Sequence, residues 1–406
     1  MPDGTAPLSE LRRIIAGHTL ADEKATLDDL IALAALGDDD RAAISAEAAR
    51  LVRAVRGSTR PGMMESFLAE YGLTTKEGVA LMCLAEALLR VPDRWTMDEL
   101  IEDKVAPADW SRHLGRSSSP LVNASTWGLM LTGRVVAEHG EDDLPGVLHG
   151  MVKRLGEPVI RTAVRRAMQE LGRQFVLGRT IDEAAERAKG MEAKGYTYSY
   201  DMLGEAARTE ADARRYHIAY SQAISAIAAH CSHGDIRANP GISVKLSALH
   251  PRYEYGQKPH VLDDIAARTR SLALIAKSAG MGFNIDAEEA DRLDLSLDVI
   301  EAVLSDRALA GWDGFGVVVQ AYGRRARFVL QWLHALAEKL DRRIMVRLVK
   351  GAYWDSEIKR AQVMGLDGFP VFTRKVSTDA SYIACARMLL GMTDRIYPQF
   401  ATHNAH

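Results

Sequence analysis

The stretch IMVRLVKGAY, residues Ile344–Tyr353, decides the fold class of this chain. Its apolar and β-branched residues predict a strand. The preceding residues 324–340, RRARFVLQWLHALAEKL, have apolar side chains at helical spacing, which predicts a helix that buries a face made of Val329, Leu333, Leu336 and Leu340. A strand that follows an amphipathic helix is half of the repeating unit of a parallel α/β sheet.

Five further runs have the same character, and amphipathic helical stretches separate them. They are Tyr196–Tyr200, Ile242–Leu249, Phe283–Ala287, Phe315–Tyr322 and Tyr397–Asn404. No G-x-G-x-x-G motif follows any of these runs, so a dinucleotide-binding fold is unsupported. Repeated βα units with polar strand ends instead predict an α/β fold, namely a (β/α)8 TIM-like barrel with six of its eight strands present.

The sequence divides into three predicted regions. Residues 1–60 are predicted to form an N-terminal helical arm, 61–150 an α-helical domain, and 151–406 the barrel. From the first predicted strand to the last residue there are 211 residues, whereas a whole barrel needs about 250. We therefore expect the barrel to be incomplete at its C-terminal side, and the chain by itself to be weakly active or inactive.

Composition excludes several classes of protein. The chain has 51 Lys and Arg residues against 54 Asp and Glu residues, so no overall field draws it to nucleic acid. Its first fifty residues contain ten acidic and five basic side chains, the opposite of a DNA-binding arm. No export signal or membrane-spanning run is found. We expect a cytoplasmic protein with no nucleic-acid partner, and a homo-oligomer is compatible with the composition.

The three cysteines, Cys83, Cys231 and Cys385, are widely spaced and lie in apolar, helix-like stretches. This distribution favours reduced core thiols over a disulfide framework or a metal site.

Polar residues gather at the ends of the six predicted strands. In a βα barrel the catalytic groups lie at these carboxyl ends, so we take the set as candidate functional residues. The set consists of Asp201, Glu205, Lys245, Asp286, Gln320, Tyr322, Arg347, Lys350, His403 and Asn404. Any one of them alone is typical of a solvated strand end, but their presence at all six strands indicates a site.

The end of the fifth strand, RLVKGAYWD, predicts a binding site for an anionic, planar cofactor. Arg347 offers a fixed fork of donors and Lys350 a point charge. Gly351 allows close approach of backbone N–H groups, although an ordinary turn also explains this residue. Tyr353 adds an aromatic face.

Two other chemistries remain open on these residues alone. Lys245 or Lys350 is placed to act as a Schiff-base nucleophile, as in aldolase-like barrels, if burial lowers its pKa. The acidic residues Asp286, Glu288 and Glu289 are possible metal ligands, but carboxylates also favour the start of a helix. We expect no metal site.

Several long runs carry a family resemblance. They include YSYDMLGEAA, ISVKLSALHPRYE, IDAEEADRLDLSLDVIE, VVVQAYGRRA, RIMVRLVKGAYWDSEIKRAQ, VFTRKVSTDASYIACARMLL and FATHNAH. From about Gly62 to the last residue the sequence resembles the proline dehydrogenase domain of the bifunctional PutA family. The resemblance implies a distorted barrel that binds FAD and oxidises L-proline to 1-pyrroline-5-carboxylate by hydride transfer to flavin N5. It also implies a quinone electron acceptor at the membrane, and hence a cytoplasmic protein peripheral to the inner membrane.

The resemblance also assigns site residues. Lys245 would contact the proline carboxylate, Asp286 would lie in the charge network beside the flavin, and Arg347 would bond the N5 region. Tyr353 would form a wall of the proline pocket, and Glu205 would pair with an arginine to close the site. The flavin contacts would be Gln320, Arg347, Val349, Lys350, Gly351, Ala352, Tyr353, Trp354, Thr373, Lys375, Thr378, His403 and Asn404.

Three features of the family have no counterpart in this sequence. They are the last two strands and final helix, which carry paired arginines for the substrate carboxylate, the downstream L-glutamate γ-semialdehyde dehydrogenase domain, and an N-terminal ribbon-helix-helix domain. We expect the dehydrogenase domain in the parent protein, and we expect the parent not to be a repressor of the ribbon-helix-helix kind. A non-enzymatic regulatory fragment remains an alternative.

Overall fold

The structure, a computed structural model, describes residues 7–57, Thr96, 176–203 and 206–406. The predicted helical domain at 61–150 lies outside these residues, apart from Thr96, and so does Glu205. Within the described ranges the predicted arm is helical, with α1 at Leu8–Gly17, α2 at Glu23–Ala34 and α3 at Asp38–Arg56.

The second half of the chain alternates helices and strands. The helices are α4 Ile181–Glu192, α5 Glu210–Ala228, α6 Lys258–Ser278, α7 Leu293–Leu304, α8 Ala326–Lys339, α9 Trp354–Val363 and α10 Lys375–Leu390. The strands are β1 Ser199–Asp201, β2 Gly241–Val244, β3 Gly282–Ile285, β4 Phe315–Gln320, β5 Ile344–Val349 and β6 Ile396–Phe400. None of the helices in the described ranges is long and apolar enough to cross a membrane.

The six strands form one sheet in the order β1-β2-β3-β4-β5-β6, and every neighbouring pair is parallel. All six predicted strands are therefore confirmed, together with the α/β class. Five of the predicted strands run too far at their carboxyl ends, however, and the first, Tyr196–Tyr200, begins too early and stops one residue before the end of β1. β2 ends at Val244, before a 3-10 turn at Leu246–Ala248, and β5 ends at Val349. Lys245 and Lys350 therefore belong to the turns that follow β2 and β5 rather than to the strands.

The buried face of α8 agrees with its predicted spacing. Val329, Leu333 and Leu336 are at most 2% exposed. Leu340 is only half-buried, because α8 ends at Lys339 and Leu340 is its C-cap.

The arm packs on the outside of the sheet's helices. Arg12 of α1 donates to Asp298 at 3.0 Å and lies over the ring of Trp332 in α8. Farther along, Leu30 and Ala34 of α2 form a core cluster with Phe372 and Ala384. The arm and the barrel thus share buried apolar surface, and Met1–Val52 and Ala188–His406 form one compact unit.

Two of the three cysteines lie in the described residues, and both are free thiols as predicted. Cys385 is fully buried, and burial raises the pKa of its thiol to about 12. Cys83 lies outside the described residues.

Inside the sheet, Gly316 of β4 leaves room for a neighbouring side chain. It pairs with Asn284 of β3, whose side chain is buried at 2% exposure. A Cβ atom at position 316 would lie 1.9 Å from Asn284 Oδ1. Because both residues are enclosed, the Asn284 side chain has no free space into which it could move away from a new Cβ atom.

We predict that Gly316→Ala destabilises the protein by about 1–3 kcal/mol, the usual cost of overpacking a core. The measurement is the free energy of unfolding in urea. Gly190→Ala in α4 is the matched control, since a Cβ there meets nothing within 4 Å. A Gly316→Ala variant as stable as this control would contradict the tight packing of β3 against β4.

Candidate active site

Lys245 is the first residue after β2, and its side chain reaches across the carboxyl edge of the sheet. Its Nζ donates to Asp201 Oδ1 at 3.0 Å and to Asp286 Oδ2 at 3.0 Å. The Lys245 side chain is 12% exposed, so hydrogen bonds to these two carboxylates replace most of the hydration of its ammonium group. Because β1, β2 and β3 are parallel neighbours, residues that follow their carboxyl ends meet at one edge.

Arg347 lies within β5 and points its guanidinium toward the same group of strands. One Nη donates to Ser243 Oγ at 2.9 Å and the other to Ser199 Oγ at 2.9 Å. Burial lowers the pKa of Arg347, and the charges of Asp286 and Asp201 act in the opposite direction. The arginine is therefore a partly dehydrated cation held by two hydroxyl groups.

The four charged side chains of the Lys245–Arg347 group balance one another. Lys245 and Arg347 are cations, and Asp201 and Asp286 are anions. Their formal charges sum to zero, so the cluster has no net attraction for a simple anion or cation. It presents separate positive and negative points, which suits a ligand that itself carries both charges.

Lys350 and Gly351 lie where β5 ends. The Lys350 ammonium pairs with Asp379 of α10. Gly351 has a φ of +138°, and a Cβ there would lie 2.4 Å from the ring of Tyr322. The backbone at Gly351 therefore lies close against Tyr322, while the predicted approach of its N–H to a cofactor stays a prediction.

Gln320, the last residue of β4, connects two loops. Its Nε2 donates to the carbonyl oxygen of Glu288 at 2.9 Å, and its Oε1 accepts from the Ala352 N–H at 3.1 Å. These bonds fix the turn after β3 relative to the turn after β5. Tyr353 follows as the half-buried N-cap of α9.

Trp354 and Thr373 belong to a second part of the site. The indole N–H of Trp354 donates to the Phe372 carbonyl at 2.8 Å. Thr373 donates through both its N–H and its hydroxyl to Glu23 of α2. Lys375 begins α10, and Thr378 is buried in the first turn of that helix.

Three other predicted residues lie at the ends of β5 and β6. His403 and Asn404 follow β6 and are exposed, and the Asn404 N–H donates to Thr402 Oγ1 at 3.0 Å. Val349 is half-buried at the end of β5. Glu205 lies outside the described residues.

The acidic side chains that follow β3 form ion pairs with lysine and arginine side chains of the protein. Asp286 pairs with Lys245, while Glu288 and Glu289 lie 3.0 and 3.1 Å from Arg292. Burial raises the pKa of Glu288, whose Oε1 accepts from the Ser247 N–H. In the described part of the chain, the group of acidic and histidine side chains that is compact enough for a metal lies elsewhere, at His334, Glu338 and Asp394 on the outer surface.

Sequence reasoning missed four partners of the site. Ser199 and Ser243 were detectable, because each stands two residues before a chosen polar residue, Asp201 or Lys245, and so faces the same side of its strand. Asp379 and Glu23 had no such signal. They reach the site from 29 residues beyond Lys350 and from 350 residues before Thr373.

Three family models match the sequence. Residues 184–406 match the model described as proline dehydrogenase, and residues 9–56 match the proline utilization A proline dehydrogenase N-terminal domain. Residues 63–175 match the DNA-binding domain of proline dehydrogenase. That last description runs against our expectation of no nucleic-acid partner, which is not confirmed. The expectation rested on the overall charge and on residues 1–50, and neither observation addresses residues 63–175.

Proteins of similar sequence are bifunctional PutA proteins. The bifunctional protein PutA of Klebsiella aerogenes is 55% identical over 349 residues, which are 86% of this chain and 27% of that protein. Its counterpart in Rhizobium meliloti is 50% identical over 400 residues, which are 98% of this chain and 32% of that protein. The chain thus spans about a quarter to a third of the length of these relatives.

Among solved structures, the crystal structure of a PutA mutant from Bradyrhizobium japonicum is similar, with a TM-score of 0.69 and 49% identity. The match covers 95% of this chain and 38% of that one. It confirms the TIM-like α/β fold predicted from the sequence. The chain belongs to the proline dehydrogenase family and corresponds to the proline dehydrogenase region of PutA proteins.

Proposed function

We propose that this chain oxidises L-proline to 1-pyrroline-5-carboxylate with FAD as its cofactor, and that a membrane quinone accepts the electrons. The observation that carries the proposal is the convergence of Lys245, Arg347, Asp201 and Asp286 at the carboxyl ends of neighbouring strands. Membership of the proline dehydrogenase family supports it.

The donors near β5 and α10 fit FAD. Arg347, Lys350 and Lys375 supply cations for an anionic cofactor. α10 is 16 residues long, has no acidic residue in its first turn and has no side-chain cap. The positive N-terminal end of this helix, together with the Lys375 ammonium, suits a pyrophosphate. Bound FAD would supply the hydride-accepting N5 atom.

Arg347 would hold the isoalloxazine ring and stabilise negative charge on it. The guanidinium is already partly dehydrated, and a cation in a site with little water acts more strongly than one in solvent. Ser199 and Ser243 fix its direction before any ligand arrives, so little reorganisation is required of this side chain.

Lys245 would bind the proline carboxylate. Free proline is a zwitterion, and the cluster offers it two cations and two carboxylates with no net charge. Asp201 and Asp286 hold the Lys245 ammonium at the edge of the sheet, where the substrate carboxylate can share it. Tyr353 would form an aromatic wall of the same pocket, and Glu205 would act in its closure.

The aldolase-like alternative is disfavoured by the same contacts. A Schiff-base lysine must present its amine to a carbonyl, but Lys245 is engaged by Asp201 and Asp286, and Lys350 is engaged by Asp379. The regulatory-fragment alternative predicts no proline-dependent reduction of bound flavin, so the variants below test it as well.

The relatives are described as bifunctional. We propose that the parent protein of this chain also carries a downstream L-glutamate γ-semialdehyde dehydrogenase domain, which would consume the product. We further propose that it is cytoplasmic and peripheral to the inner membrane, where the quinone is found.

We predict that Lys245→Ala weakens proline binding by about 1.5–3 kcal/mol, because a charged hydrogen bond to the carboxylate is lost. The flavin content should stay unchanged. The measurement is the proline concentration that gives half-maximal anaerobic flavin reduction. Lys339→Ala is the control, since that lysine is exposed and pairs with Glu301 away from the site. Loss of flavin with intact proline affinity would assign Lys245 to the cofactor instead.

We predict that Arg347→Met slows flavin reduction or releases flavin, because it removes a forked cation from the region of the ring. Stopped-flow reduction rates and the flavin-to-protein absorbance ratio measure the two effects. Unchanged values of both quantities would refute the role assigned to Arg347.

We predict that Ser243→Ala slows flavin reduction by an amount that corresponds to about 0.5–1.5 kcal/mol, because Arg347 loses one acceptor. The effect should vanish when Arg347 is already methionine, since the serine acts through the arginine. An effect of Ser243→Ala that persists in the Arg347→Met background would show that the serine has a separate role.

A further inference from the structure

Glu23, the first residue of α2, makes several bonds to a segment that is distant in sequence. Its carboxylate accepts from the Thr373 N–H at 3.1 Å and from the Thr373 hydroxyl at 3.2 Å. It also accepts from Arg324 at 3.1 Å, and the Arg324 side chain is only 6% exposed. The Glu23 side chain is 21% exposed, so these bonds are partly shielded from water.

The position of Glu23 is fixed by the packing of α2. The Asp22 side chain accepts from the Ala25 N–H at 2.8 Å and caps the helix start. Arg324 also donates to the Ala21 carbonyl, and Arg387 donates to the Ala34 carbonyl at the other end of α2. Between these ends, the apolar face of α2 joins the core cluster with Phe372 and Ala384. α2 is therefore held at both ends and along its face.

The segment that Glu23 contacts is also held from the barrel side. The Phe372 N–H donates to the Tyr322 carbonyl at 2.8 Å, and the Phe372 carbonyl accepts from Trp354. The Arg324 N–H donates to the Pro370 carbonyl at 3.3 Å. These contacts fix the segment up to Phe372, and Glu23 fixes the next residue, Thr373, which lies two positions before the start of α10.

The bond from the Thr373 hydroxyl has a chemical consequence. Because its proton is directed at Glu23, the Thr373 oxygen faces other partners as an acceptor. The negative charge of Glu23 is matched by Arg324, so it does not simply repel an anionic ligand near α10. Loss of Glu23 would free the Thr373 N–H and hydroxyl to rotate away from this arrangement.

We propose that Glu23 is a positioning residue for the cofactor, and that the N-terminal arm completes the FAD site by fixing Thr373 at the entrance to α10. This inference rests on the proposed function. It assigns to the arm a role in holding FAD, in addition to covering the outer surface of the barrel helices.

The test compares Glu23→Ala and Glu23→Gln with Glu47→Ala in the same protein. Glu47 is an exposed acid of the same arm and pairs with Arg50. Glu23→Ala should weaken FAD binding about tenfold, because Thr373 is no longer held in its binding position before FAD arrives. Glu23→Gln keeps an acceptor for the Thr373 N–H and should have an intermediate effect. Glu47→Ala should bind FAD like the unaltered protein.

Two further readouts separate positioning from a general effect on folding. In flavin-free protein, hydrogen exchange of the peptide that contains Thr373 should be faster in Glu23→Ala and unchanged in Glu47→Ala. In the flavin-loaded variant, the KM for proline should be unchanged, since Glu23 lies at the arm-facing part of the site.

The outcomes distinguish this inference from the proposed function. If the unaltered protein bound no FAD, the proposed function would fail, and the inference would fail with it. If the unaltered protein bound FAD and Glu23→Ala bound it equally tightly, the inference alone would be overturned. A loss of thermal stability in flavin-free Glu23→Ala and Glu23→Gln, with FAD affinity unchanged in the folded fraction, would also overturn it, because it would indicate a purely structural contact.

Discussion

A partly dehydrated arginine constrains this site. Arg347 projects from β5, and removal of its water is costly unless other groups replace the lost hydrogen bonds. Ser199 and Ser243 supply acceptors, while Asp201 and Asp286 supply the opposing charge. Those two carboxylates in turn need a cation, and Lys245 lies within 3.0 Å of both. Each of these polar side chains thus compensates the charge or the lost hydration of another. The parallel order of the strands brings them to the same edge of the sheet.

The second half of the site depends on a different interaction. The residues after β5 and before α10 are joined by neutral hydrogen bonds from Gln320, Trp354 and Phe372. Such bonds fix the geometry of this half without adding charge to it. The ionic contacts of this half are the Lys350–Asp379 pair and, from the arm, the Glu23–Arg324 pair. The arm therefore contributes hydrogen bonds and an ion pair to this half of the site, in addition to the apolar surface that α2 buries against the barrel helices.

The sequence predicted the strands well because their composition and spacing are local properties. It overextended them, since the residues of Lys245–Leu249 and Lys350–Tyr353 look compatible with a strand but turn to reach their partners. The polar set at the strand ends was found for the same local reason, and a stricter use of two-residue alternation would have added Ser199 and Ser243. The role of each residue came from the family resemblance, because local pattern does not distinguish a flavin contact from a substrate contact.

Long-range partners mark the limit of such reasoning. Nothing in the residues around Glu23 indicates Thr373, because their pairing depends on how α2 packs against α10, and that packing depends on side chains such as Leu30 and Phe372. The constraint on Gly351 also depends on a residue from another element. Its positive φ suits a turn, but the tight space above it is set by the Tyr322 ring, which belongs to the end of a different strand. Where a residue's environment is built by another element, its constraint appears only after the elements have been assembled.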